Sequence, residues 1–353
     1  MTAIVFSGIA LAALIALALL PALQELRAAS DVAPLNVPRD HDNAATRFAA
    51  SYRARLEQLF DAPLLEALRA EQAAAQAAAR RLHWCAAGAE SGAVPSPIVG
   101  AGDLRLRPGI VQPHEVYAAG DLLLGDGAQA RALLADGVLR LGAGSVVERW
   151  AHGRDVAFGA GSEVRARVSA NRSITLEPGA RFVRARAPTI SALHMSNRPQ
   201  KPALPSRSAE RHRFAGADGV HYEPAGARWI VAGALRLPPD TELIGDLVVR
   251  GDAAFGAGCR VQGSVKVHGQ LSVGAGSTID GACVVIGDCE LDANVLLAGP
   301  LVGEALVRIG ADTVIGRPDA PTSVNGRRIS LDAGATVHGS IWAKQAAVAA
   351  ARA

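Results

Sequence analysis

From Leu237 onward an apolar residue recurs at every sixth position: Leu243, Val249, Phe255, Val261, Val267, Val273, Ile279, Val285, Leu291, Leu297, then Ile309 and Ile315, with Gly303 alone breaking the series. Four residues after these positions stand small or aliphatic residues such as Leu247, Cys259, Val265, Ser277, Cys283, Cys289, Val295 and Val307. Positions 0 and +4 of each hexad therefore point inward. Neither the 3.6-residue period of a helix nor the two-residue alternation of a long strand gives this spacing. Short strands, three hexads to a turn, give it directly, so the pattern predicts a triangular β-solenoid with about 18 residues per turn.

Glycine marks the corners. Gly245, Gly251, Gly263, Gly269, Gly281, Gly287 and Gly299 each follow an inward aliphatic by two residues, and the third side reads "FGAGC" at 255–259 and "VGAGS" at 273–277. These glycines are expected where the backbone bends into conformations that a Cβ obstructs. A less regular version, with first residues stepping by 17, 17 and 18, appears as "LGDGA" (124–128), "LGAGS" (141–145), "FGAGS" (158–162) and "LEPGA" (176–180). The expected order is thus a first array over 100–190, a basic Pro-containing loop over 191–228, a second array over 229–340 and a tail over 341–353. Within the second array an insertion is expected around Arg317 to Arg328. The end turns of such a stack expose unpaired backbone unless a loop, the Ala-rich tail or helices cover them.

The stretch "LIGDLVVRGDAAFGAGCRVQGSVKVHGQLSVGAGSTIDGACVV" (243–285) resembles a bactofilin repeat, strongly over 230–340 and more weakly over 115–190. The resemblance implies a bacterial cytoskeletal scaffold whose β-helical domain polymerises without nucleotide and is tethered to the membrane by an N-terminal segment. It implies as partners further copies of the chain, the inner membrane and proteins that the scaffold positions, with no nucleic acid.

Ahead of the arrays, residues 2–24 carry no charge, which is long enough for a helix across the ~30 Å hydrocarbon core. No Lys or Arg precedes this run, which argues for a retained anchor (1–28) over a cleaved signal peptide. Arg27, Arg39, Arg47, Arg53 and Arg55 follow it, so the positive-inside rule places the remainder in the cytoplasm. Residues 29–99 read as linker and helix: Asp42 or Asn43 caps a helix bearing Phe48, Tyr52, Leu56, Leu59 and Phe60, and Pro63 interrupts it before "LLEALRAEQAAAQAAARRLHW".

Composition adds little to this picture. Aromatics at 4% and 37 glycines suit a core of small aliphatic layers, and a net charge of +3 is ordinary for a folded surface. Four cysteines at irregular spacing form no disulfide or zinc framework, and Cys259, Cys283 and Cys289 fall at inward positions as small hydrophobes. His268 and His338 lie beside inward aliphatics and point outward; they are the histidines that a hexapeptide-repeat acyltransferase, the rival reading, would use as a general base. His194, His212 and His221 are spaced too loosely for a zinc site. Arg165, Arg167, Arg172, Arg181, Arg184 and Arg186 make the first array arginine-rich, a candidate patch for anionic lipid. No catalytic, cofactor-binding or metal-ligating residue is expected.

Overall fold

The structure, a computed structural model, describes residues 44–193, 210–211, 220–223 and 227–350. The expected membrane segment and most of the basic loop lie outside the described residues, and no helix among the latter is long and apolar enough to cross a membrane. Among the described residues thirty strands, numbered β1 to β30 in chain order, belong to one continuous sheet wound into a solenoid.

The hexad register holds residue by residue in the second array. Successive turns pair in parallel with an offset of 18, as in Leu247↔Val265↔Cys283↔Leu301 and Phe255↔Val273↔Leu291↔Ile309. Every position 0 and +4 named above is buried, including Ser277 and Gly303. Each such aliphatic contributes about 1.5–3 kcal/mol by leaving water, and each does so only because a neighbouring turn covers it. The last turn pairs at an offset of 22 (Val307↔Ile329), and the insertion narrows to a short excursion after Ile315, closed by the Arg317–Ala320 bridge.

The corner glycines have a different cause from the one expected. Of those following the inward aliphatics, only Gly245 has positive φ. The others are required by stacking: a Cβ on Gly263 would lie 2.4 Å from the carbonyl oxygen of Gly245, and one on Gly281 would lie 2.6 Å from Gly263 backbone. Left-handed backbone belongs instead to a second column, Asp240, Gly258, Gly276, Asn294, Asp312 and Gly334, all near φ +56 to +81°. Glycine, asparagine and aspartate are the residues that tolerate that region. Aspartates cap the corners between turns: the carboxylates of Asp246 and Asp252 accept hydrogen bonds from the amides of Ser264 and Gln270.

The first array begins at β1 (His83–Cys85), inside the segment read as linker and helix, and runs to β11 (Arg181–Ala192). Its first turn pairs at an offset of 15 (His83↔Ile98), and the turns after it pair mostly at 17 and 18, as the irregular spacing in the sequence predicts. Ahead of it lie α1 (Ala44–Phe60), α2 (Leu64–Arg69) and α3 (Ala73–Ala79). These helices cover a side of the first array rather than an end: Ala49, Leu56, Phe60, Leu64 and Leu68 pack against Val99, Tyr117 and Leu134. Phe48 and Leu59, expected on the buried stripe, are largely exposed.

The tail is corrected most. Residues 341–349 belong to β30 (Thr336–Ala349), which pairs in parallel with β29 (Thr322–Leu331) and antiparallel with β11. The final turn of the second array is thereby joined to the final turn of the first, and a single stack results with both C-terminal ends inside it.

Candidate functional surfaces

With the C-terminal ends joined, two rims remain, one at the start of each array. At the first, Gln112 is 1% exposed; its side chain accepts from the Val94 amide (3.0 Å) and donates to the Ser96 carbonyl (2.9 Å), standing in for a strand. At the second, β13 (Val220–Glu223) pairs antiparallel with β14 (Arg228–Val231), and β12 (Glu210–Arg211) pairs in parallel with β16 (Thr241–Ile244). The third side of that rim, β15 (Leu235–Leu237), pairs only with β18 (Ala253–Phe255) among the described residues. Leu235 donates inward to the Asp252 carbonyl at 2.8 Å, so strand alternation turns the Arg236 amide and carbonyl to the free edge.

Between α1 and the first array lies a polar cluster that no sequence motif announced. Arg53 is ion-paired with Asp136, whose other carboxylate oxygen accepts the Tyr117 hydroxyl at 2.8 Å. Arg53 also lies over the Tyr117 ring, and Tyr52 meets Trp150 edge-on at 5.7 Å. One turn further, His152 Nδ1 and Ser169 Oγ are 2.8 Å apart. Burial, followed by the nearby Arg53 charge, pushes the His152 pKa down, which keeps the ring neutral. A histidine beside a serine invites a catalytic reading, but these two are only 9% and 3% exposed and lie out of reach of a substrate. The cluster fixes the helix on the sheet. Asp155 lies nearby along the chain; burial opposes its ionisation, yet hydrogen bonds from Ser173, Arg172 and Arg154 outweigh it and hold its carboxyl below the usual range.

The residues singled out in the sequence are scattered. His268 is exposed on the second array. His338, expected to face solvent, is half-buried at the joint, with Nδ1 3.2 Å from the Pro188 carbonyl and 3.3 Å from Thr189 Oγ1. His194 and His212 lie outside the described residues, and His221 is exposed on β13. Among the described residues no three metal-binding side chains cluster. All four cysteines are buried, and the thiol of Cys289 is pushed far up by its hydrogen bond with Cys283 and by burial.

Nor do the first-array arginines form one free patch. Arg165 pairs with Glu148 at 2.8 Å and Arg172 with Asp155 at 3.0 Å, whereas Arg167 and Arg184 lie over the rings of Phe48 and Trp342. Comparison of the chain with protein-family models, with curated proteins and with solved structures gives no match.

Proposed function

We propose that this chain is a membrane-tethered, bactofilin-like cytoskeletal scaffold. It assembles through the rims of its β-solenoid without nucleotide and holds partner proteins along the inner membrane. The observation that carries this reading is the outer edge of β15, which pairs with no strand among the described residues and lies at the end of an apolar stack. Such an edge templates pairing with another chain. The β11–β30 joint gives the reading a precedent within the chain, because it shows two turns of this solenoid joined antiparallel. A contact between copies at the second-array rim would repeat that chemistry.

The test is sedimentation velocity and negative-stain electron microscopy of the full chain in detergent, without nucleotide, for the natural sequence and for Arg236→Pro. Proline removes the one amide turned to the free edge and is tolerated on edge strands. Large assemblies that dissolve in the variant at unchanged melting temperature support the scaffold. A discrete trimer indifferent to the substitution would favour the hexapeptide-repeat acyltransferase and direct attention to His268, which is exposed beside Lys266 and Arg250.

A further inference from the structure

One side of the solenoid differs from the others in charge. On the second array it is built by β14, β17 (Asp246–Val249), β20 (Val265–Val267) and β23 (Cys283–Val285), whose outward residues form a groove of about 590 Å³. Its floor is Ile230, Val248 and Val284, and Arg228, Arg250, Lys266 and His268 stand around it. Arg228, Arg250 and Lys266 are exposed and have no carboxylate within ion-pair distance among the described residues. Carboxylates share this side: Glu223 on β13 stands in register with Arg228, and Asp246 and Glu304 lie on it as well. Asp246 is half-buried and accepts from the Ser264 amide, and Glu304 lies two turns beyond His268 in the stack. On the neighbouring sides Glu290 and Asp332 hold Arg308 and Asp280 holds Arg260, while exposed Arg236 has no carboxylate within ion-pair distance among the described residues.

The same side continues through the joint. Lys266 pairs in register with Val284, Val284 with Val302, Val302 with Asn325 and Asn325 with Trp342; across the joint Trp342 faces Arg184, which neighbours Arg167. Trp342 is 50% exposed. Arg167 lies over Phe48, in the first turns of α1, with its guanidinium carbon 4.7 Å from the ring centroid. The side that carries the unneutralised basic residues and the exposed tryptophan thus also meets α1, at Phe48.

We propose that this side, from Arg228 to Arg167, lies flat on an anionic lipid bilayer, with the basic residues over the headgroups and Trp342 and Ile286 at the interface. Basic side chains are drawn to an anionic leaflet, at about fivefold in affinity per residue close to the surface, and tryptophan favours the headgroup level. The inference rests on the membrane attachment proposed above and adds the face that attachment presents.

The experiment uses the full chain bound to vesicles of phosphatidylcholine and phosphatidylserine that contain headgroup spin-labelled lipid. A fluorophore is placed on Ile286→Cys, on this side, or on Ser272→Cys, exposed on the neighbouring one; the four natural cysteines are buried, which directs the label. Expected is quenching at 286 several-fold stronger than at 272, falling to the level of 272 in Arg250→Glu/Lys266→Glu while the protein still floats with the vesicles. Equal quenching at both positions in the otherwise natural chain overturns the face and leaves the attachment standing. Failure of the full chain to float overturns both.

Discussion

Arg184 reaches across the seam between the two arrays, its guanidinium carbon 5.0 Å from the ring centroid of Trp342, while beside it Ala185 faces Ile341 in the interior. The outer contact is exposed and the inner one is dry, so they should differ in weight. Trp342→Ala should cost about 0.5–1 kcal/mol. Ile341→Asp, at a fully buried position, should cost about 3 kcal/mol or more. Hydrogen exchange at 181–192 and 336–349 should accelerate in the second variant; exchange as slow as in the natural chain would mean that the seam is held elsewhere.

The stacked glycine column and the left-handed column should resist a Cβ for different reasons. Gly263→Ala places a methyl against the Gly245 carbonyl and should lose about 1–3 kcal/mol by overpacking. Asn294, at φ +60°, should accept glycine with little change and lose about 1–2 kcal/mol to alanine, which dislikes the left-handed region. Denaturant melts of the three variants decide between stacking and backbone conformation as the cause in each column.

His152 links the stability of the first array to pH. Its folded pKa is depressed below the ordinary histidine value, so the unfolded chain binds the proton more readily. The contribution is complete above about pH 6.5 and is lost as pH falls from there through the folded pKa. Melting temperatures between pH 8 and pH 5 should fall for the natural chain by more than for His152→Gln. Parallel curves for the two would assign the acid sensitivity to other groups. The Asp155 contribution does not interfere, because it is lost only at lower pH, through a carboxyl pKa that is itself depressed.

Deleting residues 1–28 should move the chain from the membrane fraction to the soluble fraction in cell lysates at high salt. At low salt the basic side should retain part of it on anionic membranes, since such attraction is screened. Full retention at high salt would transfer the anchoring role to another part of the chain.

The interior of the second array was legible down to single residues because a strict period leaves no freedom in which side chains face inward. Gly263 and its neighbours were located correctly and explained wrongly: periodicity places a glycine but does not separate a strained φ from a crowded neighbour. The joint left no trace in the sequence, since β11 and β30 share no period and meet antiparallel. "AKQAAVAAARA" therefore looked like a tail. The His152–Ser169 contact went unread although its offset of 17 was legible, because the period does not mark which outward pairs become buried. Gln112 has no sequence signature as an end plug; its role follows from where the stack begins.

The seam also sets an order of events during synthesis. β11 is complete at Ala192, but its antiparallel partner begins at Thr336, 336 − 192 = 144 residues later. At about 5–20 residues per second the nascent chain holds the end of a finished β-stack open for roughly 7–29 seconds before the strand that closes it leaves the ribosome. During that interval the edge of Arg181–Ala192 is the place where two nascent chains on one message would pair with each other, and slowing translation between 193 and 336 should raise the yield of such mispaired dimers.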